Sequence, residues 1–181
     1  MSNSDAFWMP FTPNRDFKLS PRLLASASGV TYQTADGGAV LDGISGLWCV
    51  GAGHKHPKIA ESMKTQIDTL DFASSFQVGH LGAFKLAERI ASIAPKNLDR
   101  IFFVNSGSEA CDTAMKMALA YWRVRGQGHR NLFIGRERGF HGVGFGGISV
   151  GGMIISRLFF CASLLRSVHL RSSWDSANEA F

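Results

Sequence analysis

Three stretches of the chain repeat apolar residues at the spacing of an α-helix. The first, residues 57–70, places them three or four positions apart and starts with a proline, which suits the first turn of a helix. The second, residues 81–94, stops before another proline, because proline cannot continue a helix. The third, residues 109–125, is followed by Gly126, a residue typical of helix ends. The pattern therefore predicts three helices.

Shorter apolar runs predict strands. Residues 30–34 and 39–41 flank the turn Asp36-Gly37-Gly38, an arrangement typical of a β-hairpin. Residues 100–105 and 132–134 are continuous apolar runs of the kind found in buried parallel strands. Because the third predicted helix lies between these two runs, the pattern predicts one βαβ unit.

The first 28 residues have no regular period, and three prolines interrupt any helix there. The segment nevertheless carries large apolar side chains: Phe7, Trp8, Met9, Phe11 and Phe17. An irregular arm of this composition needs an apolar surface to cover it, such as a second subunit.

Composition narrows the class of protein. The chain has 181 residues, of which 45% are hydrophobic and 18% charged, which favours a globular core and argues against a disordered chain. The net charge is +5, and arginines gather between residues 123 and 138 with a single acid, Glu137. That cluster could form a nucleic-acid surface. No nucleic-acid motif accompanies it, so a solvated helix end is favoured and no nucleic-acid partner is expected.

Several other classes of site are disfavoured. The three cysteines are dispersed and odd in number, which indicates neither a disulfide framework nor zinc and favours the cytoplasm. Asp5 and the lack of an apolar run near it argue against a signal peptide. Residues 143–165 are apolar, but five glycines and Arg157 favour buried strand-and-loop structure over a membrane span. His54 and His56 have no third ligand nearby, so no metal is expected.

One strand-to-helix junction can carry chemistry. Ser106 and Glu109 have the spacing of a capping box, which fixes the start of the third helix. The first N–H groups of a helix lack partners, and the helix dipole makes that end positive. Gly107 would let an anion approach the backbone, and the Ser108 hydroxyl would add a donor. Local chemistry alone leaves two possibilities open: a phosphate or carboxylate site, or a plain helix cap.

A second glycine-rich motif competes with this site. Residues 142–147 match G-x-G-x-x-G, the fingerprint of dinucleotide binding. The glycines here and at 151–152 oppose helix formation, so the motif should not open a helix. No acid for the ribose occurs between Glu137 and Asp175. Nicotinamide and flavin cofactors are therefore not expected.

Several motifs in series resemble one family. They are Phe-Trp-Met-Pro-Phe-Thr at 7–12, Leu-Asp-Gly at 41–43, Ser-Gly-Leu-Trp-Cys at 45–49, the junction at 105–109 and Gly-Phe-His-Gly at 139–142. Their order and rough spacing resemble the N-terminal portion of class III (ω-) aminotransferases, over residues 7–152. The most similar branch is the ω-amino acid:pyruvate (β-alanine:pyruvate) transaminases.

The resemblance implies an α/β fold, that of fold type I pyridoxal-phosphate enzymes. Residues 1–56 would form the N-terminal arm and a β-hairpin segment of the small domain. Residues 57–152 would begin the large cofactor-binding αβα sandwich, and residues 153–181 would be a divergent, truncated tail. The resemblance also implies pyridoxal 5'-phosphate as cofactor, an ω-amino acid or amine and pyruvate as substrates, a homodimer and a cytoplasmic enzyme.

The resemblance assigns roles to matching residues. Gly107 and Ser108 match residues that hold the cofactor phosphate, and Phe140 matches an aromatic residue, commonly tyrosine, that stacks on the pyridine ring. Phenylalanine keeps the stacking face but lacks the hydroxyl. Three aromatic residues match the wall of the substrate pocket, and the last of them resembles one that reaches the neighbouring subunit's site: Phe11, Trp48 and Phe76.

The chain departs from the family pattern in length. Family members are much longer, and the region that supplies their Schiff-base lysine has no counterpart here. None of the seven lysines stands in a matching context, and Lys116 should instead pair with Asp112, one helical turn earlier. No catalytic residue is therefore assigned, and the chain alone is expected to be inactive. Alternatives are a biotin-pathway or ornithine-type transaminase, or a non-catalytic fragment serving binding or dimerisation.

Overall fold

The computed structural model describes residues 6–160 and 165–171. Contacts divide the chain into two compact units, residues 1–84 and 85–181. The division falls within a helix, and the family-based boundaries at residues 57 and 153 stay predictions. Each unit is described by itself.

The first unit is built on a three-stranded antiparallel sheet. Its strands are β1 (Leu24–Ser28), β2 (Thr31–Thr34) and β3 (Ala39–Leu41), in the order β1-β2-β3. Val40 lies opposite Tyr32, and Gly37 in the connecting turn has a φ of 90°, a conformation that glycine adopts without strain. The predicted hairpin is therefore confirmed.

The arm before the hairpin is more regular than predicted. A short helix, α1 (Asn14–Leu19), lies between two of the prolines, and β1 follows it. Pro13 stands at the N-cap of α1, where a missing N–H costs no hydrogen bond. The expectation of an irregular segment was wrong, because prolines limit the length of a helix without excluding a short one.

Helices follow the sheet. A four-residue helical turn, α2 (Ser45–Trp48), is succeeded by α3 (Pro57–Thr69) and α4 (Leu81–Ile93), which crosses into the second unit. The second unit continues with α5 (Gly107–Val124), and Gly126 beyond its end has a φ of 71°. The three helices expected from apolar periodicity are thus confirmed.

After α5, the second unit contains a parallel pair of strands. β4 (Phe133–Arg136) pairs with β5 (Ser167–Leu170), and two short helices stand between them: α6 (Phe145–Val150) and α7 (Ile154–Phe160). The Ser167 hydroxyl donates to the carbonyl of Ser149 over 2.6 Å, which ties β5 to α6. β5 belongs to the segment that the sequence placed in the divergent tail.

The strand expected at residues 100–105 is not formed. In the structure these residues make no strand pairing, so the predicted βαβ unit is wrong in its first element. An apolar run becomes a strand only when a neighbour supplies ladder hydrogen bonds. The strand β4 takes β5 as its partner instead.

The glycine-rich segment forms a helix, against expectation. Gly146 and Gly147 lie inside α6, because this helix packs closely on α5. A Cβ on Gly146 would come within 2.7 Å of Asp112 Oδ1, and one on Gly147 within 2.6 Å of the His141 carbonyl oxygen. Close packing thus outweighs the low helix propensity of glycine. The expected strand-and-loop structure for 143–165 was wrong over residues 143–160, which contain α6 and α7, while residues 161–164 lie outside the described part.

Few side chains are fully covered. Met115 and Val150 are the buried hydrophobic side chains among the described residues, and both lie in the second unit. The apolar residues of α3, such as Ile59, Met63 and Ile67, are exposed although they recur on one face. An unpaired apolar face of this kind is typical of a surface that another polypeptide covers.

Candidate functional site

The start of α5 is fixed by local hydrogen bonds. The Ser106 hydroxyl accepts from the Glu109 N–H over 3.1 Å, which makes Ser106 the N-cap. The Glu109 carboxylate in turn accepts from the Asn105 N–H over 2.9 Å. The predicted capping box is confirmed at Ser106, while its reciprocal bond goes to the residue before the cap.

Two backbone donors remain open at this helix start. Within the described residues, the N–H groups of Gly107 and Ser108 have no hydrogen-bond acceptor. A Cβ added to Gly107 would meet nothing within 4 Å, so the space in front of the helix is free. The helix dipole adds positive potential at the same place. The arrangement can receive an anion such as a phosphate.

A distant loop packs on the same helix start. The Ser108 hydroxyl accepts from the Val143 N–H over 3.0 Å and can still donate its own hydrogen. Gly142 has a φ of 112°, and a Cβ there would lie 2.7 Å from Ser108 Cα. The loop that carries Phe140 is thereby held against Ser108, and the Phe140 side chain is exposed. The structure thus brings Ser108 and the backbone that follows Phe140 into one region.

An open cleft of about 650 Å³ borders this region. Its lining includes Phe102, Ser108, Lys116 and Val143. Asp112 also lines it, and its carboxylate accepts from the Gly147 N–H over 2.8 Å. Among the described residues no ion pair joins Asp112 to Lys116, so the expected pair was wrong. The sequence did not predict the bond between Asp112 and Gly147, because the two residues are 35 positions apart.

The predicted substrate residues lie in the first unit. Phe11, Trp48 and Phe76 are 94%, 83% and 90% exposed, respectively. None of them is packed into the interior of its own unit. Side chains this apolar and this open are available to a ligand or to another polypeptide.

The backbone around Trp48 has an unusual hand. Ser45, Gly46, Leu47 and Trp48 have φ values of 51°, 57°, 57° and 70°, so α2 is a left-handed turn. This conformation costs a non-glycine residue roughly 1–2 kcal/mol. Strain of this kind persists only where surrounding contacts hold it, and it is common at functional sites.

Asp42 is the centre of those contacts. Its side chain is 3% exposed and accepts from the N–H groups of Ile44 and Gly46 over 3.2 and 2.8 Å. His54 Nε2 lies 2.7 Å from the same carboxylate. Burial raises the pKa of Asp42, but the bond to His54 and the backbone bonds lower it below its ordinary value. The ionised Asp42 carboxylate therefore stabilises the folded state at neutral pH, and this stabilisation is lost as the pH falls through the lowered pKa.

The paired histidines have different surroundings. His54 is engaged with Asp42, whereas His56 Nδ1 is buried without a hydrogen-bond partner in the structure's described part. Across residues 6–160 and 165–171, no three His, Cys, Asp or Glu side chains are grouped so that they could hold a metal ion.

Two arginines of the cluster at residues 123–138 lie over aromatic rings. The Arg125 guanidinium lies 4.7 Å from the ring centre of Tyr121, and that of Arg130 lies 4.2 Å from Trp122. Each of these cation–π contacts covers one face of its ring. In the part of the chain that the structure describes, no helix has the length and hydropathy to cross a membrane.

Comparison with known proteins identifies relatives along most of the chain. The family model "Aminotransferase class-III" matches residues 14–175. An omega-aminotransferase from Caulobacter vibrioides is 59% identical over 166 residues, which cover 92% of this chain and 38% of that protein. An omega-amino acid–pyruvate aminotransferase from Pseudomonas putida is 47% identical over 174 residues, covering 96% and 39%. The chain thus spans about two fifths of the length of these relatives.

Solved structures agree with this match. An amine transaminase from an uncultivated Pseudomonas species, in its PLP-bound form, superposes with a TM-score of 0.85 and 31% identity. The match covers 97% of this chain and 41% of that one. The expected α/β architecture of fold type I pyridoxal-phosphate enzymes is confirmed for the part present here.

Proposed function

The chain belongs to the class III aminotransferase family, and on this premise we propose that it forms part of a pyridoxal-phosphate aminotransferase. The proposed enzyme moves an amino group from an ω-amino acid or amine to pyruvate. The Pseudomonas putida relative is named for this pair of substrates, and the Caulobacter relative is named an omega-aminotransferase, which supports the choice. The free thiols of Cys49 and Cys111 suit a reducing compartment, which supports a cytoplasmic location.

The observation that carries the proposal is the open start of α5. Gly107 and Ser108 present two backbone N–H groups and one hydroxyl to the free space in front of the helix. These donors and the helix dipole fit a phosphate group. Gly107 and Ser108 would hold the cofactor phosphate, and pyridoxal phosphate, when bound, supplies an electron sink for the reacting carbon.

In this proposal the aromatic residues contact the cofactor ring and the substrate. Phe140, on the loop tied to Ser108, would provide a flat face for the pyridine ring. Phe11, Trp48 and Phe76 would form the wall that excludes water from the amino donor. Their exposure supports the proposal, since each face is free to contact another molecule.

A matched pair of variants at Gly107 tests the phosphate site. The substitution G107D places a carboxylate in the open space at the helix start, where an acid also favours the helix. We expect G107D to stay folded and to lose binding of inorganic phosphate by at least about tenfold, because like charges repel. The substitution G107A fits the same space and should retain binding. The measurement is a phosphate titration followed through the amide NMR signals of residues 107 and 108.

Two results of that titration would contradict the proposal. One is a G107D chain that binds phosphate as well as the unaltered chain. The other is an unaltered chain whose 107 and 108 amide signals do not respond to phosphate while signals elsewhere do. Pyridoxal phosphate in place of inorganic phosphate should also shift signals of the 139–143 loop.

We also infer a homodimer in which Phe76 lies against the second subunit. Its side chain is 90% exposed, so its burial there would favour association. We expect F76E to weaken self-association by about tenfold or more, since burying such a side chain stabilises by about 1.5–3 kcal/mol. The matched control is V124E, at a residue that is 89% exposed in the other unit. Sedimentation equilibrium measures both, and equal effects of the two changes would contradict the inference.

A further inference from the structure

The left-handed turn α2 needs an explanation beyond its own sequence. Only one of its four residues is glycine, and Leu47 and Trp48 both carry large side chains at positive φ. Local preference therefore opposes the turn. The turn closes through a hydrogen bond from the Trp48 N–H to the Ile44 carbonyl over 3.0 Å, so its hand decides where Trp48 lies.

The contacts that oppose unwinding converge on one carboxylate. Asp42 Oδ2 accepts from the N–H of Gly46, inside the turn, and Oδ1 accepts from the N–H of Ile44, just before it. Tyr32 lies on the same side of the turn, and the pKa of its hydroxyl is raised by burial and then by the charge of Asp42. A carboxylate offers several acceptor positions and no donor, so it can accept all of these bonds together.

The carboxylate is itself held from the sheet side. His54 Nε2 lies 2.7 Å from Asp42 Oδ2, and its ring packs against Tyr32 with 4.4 Å between ring centres. Two backbone bonds fix His54, since it exchanges N–H and carbonyl contacts with Gly29 over 2.7 and 3.0 Å. The chain from sheet to histidine to carboxylate to turn is continuous within the first unit.

We propose that Asp42 is a positioning residue that, braced by His54, keeps α2 left-handed and thereby fixes the indole of Trp48. This deepens the proposed function, because Trp48 is the residue proposed to form part of the substrate wall. Asp42 touches neither substrate nor cofactor in this account. It acts through the backbone of Ile44 and Gly46.

The first test compares two Asp-to-Asn changes in the 181-residue chain. D42N keeps the shape of the side chain but replaces acceptor capacity by an N–H₂ group that faces other donors. We expect the Trp48 indole and backbone NMR signals to shift, while the signals of β1, β2 and β3 stay in place. The control D68N alters an exposed acid of α3 and should leave Trp48 unchanged. The indole signal is assigned with W48F.

A second change separates positioning from general stability. L47G removes the side chain that makes positive φ unfavourable, so the double variant D42N/L47G should move the Trp48 signals back towards their original positions. If D42N disrupts the sheet, H54Q serves in its place, because it weakens the brace and leaves Asp42 bonded to the backbone. H54Q should shift the Trp48 signals in the same direction.

The outcomes decide the proposal. Unchanged Trp48 signals in D42N, or sheet loss in D42N with unchanged Trp48 signals in H54Q, would overturn it, as would a double variant without any return. All spectra are recorded without cofactor or substrate. A failure here therefore leaves the phosphate site untouched, and a failed phosphate titration leaves the positioning of Trp48 untouched.

Discussion

We expect the 181-residue chain alone to show no pyruvate-dependent turnover of an ω-amino acid. Transamination needs an amine that holds the cofactor covalently and also moves a proton between two carbons. Such a lysine is normally activated in a desolvated pocket. Six of the seven lysines here are exposed, and Lys18 is half-buried in the first unit. His141 stands beside Phe140, but an imidazole could replace only the proton-transfer role.

The measurement for this prediction is covalent labelling. The chain is mixed with pyridoxal phosphate, reduced with borohydride and mapped by mass spectrometry. We expect scattered, substoichiometric labelling of exposed lysines and none that dominates. Lys116 is the residue to watch, because it lines the same cleft as Ser108. Stoichiometric labelling of Lys116 that K116R abolishes, together with turnover, would show the prediction wrong.

The largest loss of stability is expected from adding one methyl group at Gly135 or Gly152. Both glycines are buried where α6 and its following residues lie against β4. A Cβ on Gly135 would overlap the carbonyl oxygen of Val150, and one on Gly152 would overlap that of Arg136. The obstructing atoms are backbone, so no rotamer change relieves the clash. We expect G135A and G152A each to cost about 3 kcal/mol or more.

G128A is the matched control for these changes. Its added Cβ would lie 4.0 Å from the nearest atoms of Arg123, which is ordinary contact. Urea denaturation and hydrogen exchange of the β4 and β5 amides measure the effect. If G135A unfolds at the same urea concentration as G128A, the close approach of α6 to β4 is not present in solution.

The sequence predicted what local interactions decide. The helices α3, α4 and α5 have long periodic patterns, and the Ser106 cap depends on residues three positions apart, so both were found. The hairpin was predicted from a turn at Gly37, because glycine adopts the positive φ of this turn without strain. These features need no partner from elsewhere in the chain.

The features that the sequence did not predict depend on contacts between residues far apart in the chain. Residues 100–105 have the composition of a strand, but a strand forms only beside a second strand, and the local sequence does not predict which segment that is. The two glycines of α6 have low helix propensity, but Gly146 admits Asp112 and Met115 at short range, and Gly147 admits the His141 carbonyl oxygen. The Asp42–His54 and Ser108–Val143 contacts join residues 12 and 35 positions apart, which periodicity cannot reveal. One available signal was that Asp112 follows Ser108 by four residues and so shares its helix face.

The sparse burial in both units has a calorimetric consequence. The heat capacity change of unfolding grows with the apolar area newly exposed to water. A chain whose large apolar side chains are mostly exposed has little such area left to reveal. Its unfolding should therefore be broad, with a heat capacity change per residue below that of ordinary domains. Covering these faces with a second polypeptide would sharpen the transition and make its midpoint depend on protein concentration.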